Sequence, residues 1–411
     1  MTIVDRGTSH LFQPLLYQCA TGLLSQGAIS SPVRHMLRRQ RNLDVVLGEA
    51  SGIDAETRTV TICRFDGTSF DVGYDYLIVA AGMRTSYHGH DEFAQYAPGM
   101  KTLDDALAIR RKIISAFEIA ETLADPEERK QWLTFAVAGG GPTGVEIAGQ
   151  IRELATLALE HEFDNIDPRE ARVLLFHGGD RVLPSFSETL SKRAQRALDK
   201  LGVETHLGVH VTDVTADDVE VTPKAEPREP VRYPTKTALW TTGVEAVPFA
   251  GALARALGVE QERSGAIAVQ PDLSVPGHPN VWVVGDMSSL DKLPGVAEVA
   301  MQGGRHAGSV VADVIAGNAD GSSGRKPFRY RDLGSAAYIA RRQAVVESGP
   351  MQLSGAIGWL AWGVIHVAFL AGFRNRMGTV MNWSATLLTD ARRERAITYG
   401  DPESARRPYP G

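Results

Sequence analysis

The chain has 411 residues, 43% of them apolar and 22% charged, a globular composition that excludes a disordered polypeptide and predicts two or three domains. A net charge of −6 with no long basic block argues against nucleic-acid binding. Its two cysteines, Cys19 and Cys63, stand in no CxxC or ligand-like spacing, which argues against a redox dithiol, a disulfide framework and a metal site.

Residues 2–5 read as a strand, 10–24 as a loop or short helix, and Pro32 to Arg41 as a helix that starts at proline. Short strands are expected from Val45 to Ile62, with a turn at Asp66-Gly67. Tyr76 to Gly82 is an apolar run that suits a strand buried on both faces. Thr102 to Ala124 has helical spacing in Leu103, Leu107, Ile113, Ile114 and Phe117. Leu133 to Ala138 is the next buried strand, and Val145 to Leu159 the helix after it. A strand at 173–176, a helix from Ser187 to Leu201 and short strands as far as Gly243 follow. Val281 to Val284 is again a buried strand, and Val296 to Ala316 a long helix. Gly317 to Gly324 reads as a linker. Alternating buried strands and helices predict an α/β protein with two parallel sheets, as in Rossmann-like dinucleotide-binding domains.

The strand at 133–138 enters Gly139-Gly140-Gly141-Pro142-Thr143-Gly144, a G-x-G-x-x-G turn followed by a helix. Gly139 permits the tight turn, Gly141 lets a pyrophosphate approach the backbone, and Gly144 lets helix and strand pack closely. The helix start adds free N–H groups and a partial positive charge. An acid should close the next strand and bind the adenosine ribose; His177 stands there instead. A neutral imidazole can still bond a hydroxyl but repels a 2′-phosphate less, so preference for NADH over NADPH is left open, as is a solvated loop histidine. Ala81-Gly82, Gly243 and Gly285-Asp286 close three further apolar strands and point to a second nucleotide.

With these motifs the chain resembles the two-dinucleotide-domain flavoproteins, and within them the type II NADH dehydrogenases, which are NADH:quinone oxidoreductases. The resemblance rests on HLFQPLLYQCATG at 10–22, AGGGPTGVEIAG at 138–149, GDRVLPSF at 179–186, VWVVGD at 281–286, LPGVAEVAMQGGR at 293–305 and GFRNRMGTVMNW at 372–383. It implies FAD and NAD(H) as cofactors. Residues 1–103 and 251–330 would form the FAD domain, 104–250 the NAD(H) domain, and 331–411 carboxy-terminal strands and membrane-associating helices. Gly139, Gly141, Pro142, Thr143 and Gly144 would hold the NADH pyrophosphate, with Glu146 near the nicotinamide. Asp5, Ala81, Gly82, Gly243, Gly285, Asp286 and Ala297 would contact the cofactors. The family's quinone signature A-Q-x-A-x-Q appears as Ala297-Glu298-Val299-Ala300-Met301-Gln302, with Glu298 in place of the first glutamine. Two electrons would pass from NADH through flavin to a membrane quinone, without proton pumping. A soluble flavin reductase and a nucleotide-binding membrane protein without catalysis are the alternatives.

Two expectations concern the ends. Residues 2–5 match the family's second strand, with Asp5 at the ribose position, and the strand and glycine loop that should precede it are missing. The central position of that strand would leave its neighbours about 9–10 Å apart instead of roughly 4.8 Å. Three readings follow: a start upstream of Met1, which is preferred; a domain rebuilt by sheet closure; or a chain that keeps NADH and lacks flavin. Near the other end, Ala356 to Phe373 would make roughly 27 Å of helix, just enough to approach a hydrocarbon core of about 30 Å. A second apolar side follows (Met377, Val380, Met381, Ser384, Leu387, Leu388), with Arg374, Arg376, Arg392, Arg393 and Arg395 as a rim. Residues 356–395 thus suit helices lying in a membrane interface. The resemblance implies peripheral attachment at the cytoplasmic face. A homodimer contact is the alternative use of this surface.

Overall fold

In this computed structural model, residues 1–317 and 325–398 are described; positions 318–324 of the expected linker and 399–411 of the carboxy-terminal unit lie outside them. The first part of the chain contains β1 (Thr2–Asp5), the buried helix α1 (Leu16–Ala20), β2 (Asp44–Leu47), β3 (Glu49–Asp54), β4 (Thr59–Cys63), β5 (Ser69–Gly73) and β6 (Leu77–Val79). The helix expected over Pro32 to Arg41 is a single turn, Val33–Met36. Beyond Leu37 the segment offers arginines and no apolar stripe to bury, so packing does not extend the turn.

The long helix α2 (Leu103–Thr122) opens on a capping box: Thr102 Oγ1 accepts from Asp105 N, and Asp105 Oδ2 accepts from Thr102 N. Then come β7 (Thr134–Ala138), α3 (Pro142–Glu153), β8 (Arg172–His177), α4 (Glu188–Leu201), β9 (Val203–Leu207) and β10 (Thr237–Trp240). These four strands form one parallel sheet in the order β9-β8-β7-β10. Val137 of β7 lies opposite Leu175 and Leu239, and every residue of β7 is buried, as a central parallel strand covered on both faces requires.

The chain returns through β11 (Ser274–Val275), β12 (His278–Val283) and the helix α5 (Ala297–Ile315). Here the sheet is in two pieces. One is the parallel pair β1-β2; the other has the order β11-β12-β6. Among the described residues no strand joins β1 to β6. The expectation that 76–82 is buried on both faces is therefore corrected: Val79 is buried but Ile78 is 39% exposed. A strand paired on one side only leaves its other edge in water.

Three antiparallel strands, β13 (Ser335–Ala340), β14 (Gln343–Ser348) and β15 (Met351–Ser354), pack on α3, followed by α6 (Gly355–Phe369) and α7 (Phe373–Thr389). The contact with α3 is tight because residue 149 is glycine: a Cβ there would stand 1.8 Å from the Ile339 carbonyl oxygen. The apolar run 356–373 is not one helix. It breaks at Leu370 to Gly372, where Gly372 takes a φ of +87°. None of the described helices is long and apolar enough to cross a membrane. One hydrophobic core joins α1, α2, α3, α4, the β7 and β8 side chains, β13 and Trp362.

Candidate functional site

β7 delivers its backbone into Gly139, and α3 starts directly at Pro142, whose missing N–H costs nothing at a helix start. Gly144 fixes the closeness of this turn: a Cβ there would lie 1.7 Å from Gly139 O and 2.7 Å from Thr241 Oγ1. By contrast, a Cβ on Gly141 would meet nothing within 4 Å. The turn is thus packed tightly behind and open in front. The first N–H groups of α3 lack intrahelical acceptors, so the open side suits a pyrophosphate.

His177 ends β8 and lies beside this turn. Its Nδ1 accepts from Gly140 N at 3.1 Å, so the ring proton sits on Nε2. A Cβ on either Gly140 or Gly179 would come within 2.6 Å of the ring, which therefore sits between two glycine turns. Burial, and then the Lys224 charge, hold its pKa below the ordinary histidine value, so the ring is neutral. Its Nε2 is buried and has no partner among the described residues.

Glu146 lies on the first turns of α3 and is buried. Its Oε1 accepts from Tyr338 N at 3.3 Å, and burial raises its pKa well above the ordinary glutamate value. Two turns further along the same helix face stands Glu153, which the sequence reading did not single out. Its carboxylate accepts from Tyr338 OH at 2.7 Å, from Gln150 Nε2 at 2.7 Å and from Arg341 N, and it faces Arg392 at 3.6 Å. Burial pushes Glu153 up and Arg392 down, so desolvation outweighs their attraction. Tyr338 thus spans Glu146 through its backbone and Glu153 through its hydroxyl. An acid seven residues after Glu146, on the helix side it shares with Gly149 and Gln150, was the available signal for Glu153.

The second crevice forms where β6 and β12 end side by side, Val79 opposite Val283. Ala81-Gly82 and Gly285-Asp286 leave these strands together. A Cβ on Gly285 would lie 3.2 Å from Ala300 Cβ, and one on Gly295 would lie 3.6 Å from Asp286 Oδ1, so the loop returns to the start of α5 and Ala297. Lys101 Nζ is 3.9 Å from Asp286 Oδ2, and Gln13 donates to Lys101 O at 2.8 Å, which brings the loop before α1 to the same place. Asp5 closes its own loop by accepting from Gly7 N at 2.7 Å. Gly243 belongs to the crossing between the sheets: Met83–Thr85 pairs antiparallel with Val244–Ala246, and Ser86 N donates to Gly243 O.

Of the two residues expected at the quinone signature, Glu298 is half-buried and Gln302 is already occupied. The Gln302 amide donates to Arg331 O at 2.9 Å and accepts from Arg331 N at 3.0 Å, clasping the irregular segment that leads into β13. Among the described residues no group of three His, Cys, Asp or Glu could hold a metal ion.

Comparison with known proteins agrees with this geometry. The sequence pattern of the pyridine nucleotide-disulphide oxidoreductases matches residues 1–304. Two relatives from Mycobacterium tuberculosis, the type II NADH:quinone oxidoreductases Ndh and NdhA, are 46% and 45% identical over 96% and 97% of this chain and 84% of their own. NDH2 from Plasmodium falciparum, solved in complex with NADH, shares the fold at a TM-score of 0.88 with 20% identity, covering 96% of this chain and 94% of that one. The chain therefore belongs to the pyridine nucleotide-disulphide oxidoreductases and, within them, to the type II NADH:quinone oxidoreductase family.

Proposed function

We propose that the chain oxidises NADH through bound FAD and passes two electrons to a membrane quinone. The observation that carries this reading is the arrangement of two crevices, Gly139–Gly144 and Gly82/Gly285–Asp286, joined by the strand crossing at Gly243. The open front of Gly141 fits an NADH pyrophosphate, and the unpartnered Nε2 of His177 is the polar atom of β8 left to meet a ribose hydroxyl. Asp286, Lys101 and the start of α5 fit the ribityl side of FAD; the adenosine side rests on Asp5 at the end of β1. When bound, flavin supplies a two-electron acceptor for NADH and a donor for quinone.

The chain's own part is to hold rings and manage protons. Glu146, whose pKa burial raises, offers its carboxyl at the nicotinamide end of α3. Glu298 and Ala297 open α5 toward the acceptor, and Gln302 fixes Arg331 behind them. The domain limits 1–103, 104–250, 251–330 and 331 onward follow the two returns of the chain between sheets.

Membrane attachment is part of the same reading. On α6, Ile357, Leu360 and Val364 face outward, 61–70% exposed, and on α7 Phe373, Met381 and Leu388 are 67–86% exposed. Arg392, expected on the rim, is instead buried against Glu153, but Arg374, Arg376 and Arg393 are exposed, and such an apolar surface with arginines at its rim suits a helix pair lying in the interface at the cytoplasmic face. Purified full-length protein in detergent should be yellow, bleach with NADH and recover colour when quinone is added. Protein that stays colourless after FAD is supplied breaks the reading. Replacing Ile357, Leu360 and Val364 by Asp should release the protein from liposomes; a change of oligomeric state instead would favour the homodimer.

A further inference from the structure

A groove of about 270 Å³ runs between α4 and the carboxy-terminal sheet, and none of its lining residues belongs to the two nucleotide crevices. One wall is Arg193, Arg196 and Lys200 of α4, which spacings of three and four place on one side of the helix. All three are exposed. The facing wall is Gln343, Ser354 and Gly355, where β15 turns into α6. Buried apolar side chains of β13 and β14 make the floor.

Charge in this groove is unbalanced. No Asp or Glu lines it, and the neighbouring carboxylates are engaged elsewhere. Glu188 pairs with Lys192 at 2.6 Å, Asp199 accepts from Gln195 Nε2 at 2.7 Å, and Glu347 accepts from Ser187 N at 2.9 Å and Gln352 Nε2 at 3.1 Å. Arg196 and Lys200 have no hydrogen-bond or ion-pair partner among the described residues. Arg193 Nη1 donates to Ser354 Oγ at 2.9 Å. Ser354 stands at the cap position of α6, yet its hydroxyl accepts from no helical N–H, and the first turn of α6 has no acid. Three cations that repel one another thus face an uncapped helix start of the same sign. On a chain with a net charge of −6 this is a local inversion of sign. The apolar face of α6 begins at the same place. Ile357 is two residues beyond Gly355 and 67% exposed, and Leu360 and Val364 continue that face over about 10 Å of helix.

We propose that this groove binds the phosphate of one anionic phospholipid, whose acyl chains lie along the outer face of α6. The inference rests on the interfacial placement of α6 and α7 above and adds to it a discrete, charge-selective site. Guanidinium forks match phosphate oxygens, and a single negative headgroup relieves the repulsion among Arg193, Arg196 and Lys200. A zwitterionic headgroup brings an ammonium of its own, which these cations repel. A free phosphate ion meets the same cations and leaves the apolar face of α6 uncovered; an amphiphile answers both.

The probe is dihexanoyl phosphatidylglycerol below its micelle-forming concentration, titrated by calorimetry into full-length protein in an uncharged maltoside detergent. One saturable equivalent should bind, and dihexanoyl phosphatidylcholine should bind at least about tenfold more weakly. Replacing Arg193, Arg196 and Lys200 together by Gln should weaken the phosphatidylglycerol site about a hundredfold while NADH oxidation is unchanged. Ala197→Glu, which sets a carboxylate among the cations and removes none of them, should weaken it about tenfold or more; Ala197→Gln, the uncharged control, should stay within about threefold of the parent. Uptake that is unsaturable, equal for the two lipids, or the same in Ala197→Glu and Ala197→Gln overturns the proposal. So does displacement by inorganic phosphate at the affinity of the lipid, which would make this a free-anion site. Vesicle flotation separates this failure from that of the membrane reading. Protein that floats with phosphatidylcholine vesicles but takes up no equivalent of phosphatidylglycerol overturns the site alone. Protein that floats with no vesicle, with or without about one-third phosphatidylglycerol, overturns the membrane reading and, with it, the lipid assigned here.

Discussion

The two nucleotide-binding sheets are built to different degrees of closure. β9-β8-β7-β10 is continuous, with the wholly buried β7 in its interior leading into the glycine turn. The other sheet is divided into β1-β2 and β11-β12-β6, and its site-bearing strand ends, at Asp5 and at Ala81-Gly82, fall on opposite sides of the division. A glycine turn is positioned by the strand that enters it, and that strand is positioned by its neighbours on both sides. The NAD(H) crevice is therefore held by a continuous sheet, whereas the second crevice depends on β12, α5 and the Lys101–Asp286 contact.

The sharpest way to break this comparison is Gly144→Val. Its Cβ would collide with Gly139 O, so NADH binding, followed by quenching of nucleotide fluorescence, should weaken by more than about a hundredfold. If both crevices fail together, by loss of flavin as well, the claim that the two sheets hold their sites separately is wrong. Next in size is Arg392→Ala, which strands the buried Glu153 carboxylate and should lower unfolding free energy by about 3–5 kcal/mol in denaturant titrations. Replacing both partners, Arg392→Met with Glu153→Leu, should recover most of that loss. An unchanged midpoint for the single variant would remove the pair from the account.

Hydrogen exchange sharpens the same contrast. Amides of β7 and β8 should exchange on the order of a hundredfold more slowly than those of β1 and β6, which are paired on one side only. Equal protection would mean that the division of the second sheet has no energetic consequence.

The smallest effect is expected at Glu146. Its folded pKa is raised, so the folded state binds more protons than the unfolded one above the ordinary value of 4.5. Its contribution is present below pH 4.5 and is lost as pH rises through the folded value. Glu146→Gln should flatten that decline, reading as a slightly higher midpoint of thermal unfolding at pH 8, while slowing NADH oxidation. A variant with the same pH slope as the parent would show that folding does not raise the Glu146 pKa.

Much of this was legible in the residues themselves. Periodicity located α2, α4 and α5 to within a residue or two, and the apolar run into Gly139 located the turn, because local spacing and glycine geometry act over a few residues. Other features needed contacts far along the chain. The single-turn helix at Val33–Met36, the half-exposed Ile78 and the break at Gly372 depend on what each segment packs against or lacks beside it. Gln302 looked like an acceptor contact and is spent on Arg331. Tyr338 and Arg392 carry no motif of their own; only folding brings them to Glu153, from 185 and 239 positions away.

The sequence by itself determined the class of molecule: α/β units, a phosphate-binding turn at 139–144, a second set of strand-ending glycines and an apolar carboxy-terminal pair of helices. These are short-range properties, set by which residues neighbour one another along the backbone. The tertiary structure alone decided that Ile78 is left half-exposed, that His177 is neutral beside two glycine turns, and that Tyr338 and Arg392 meet Glu153 beside α3. Burial, desolvation and pairing are properties of what surrounds an atom in space, and no spacing rule carries them.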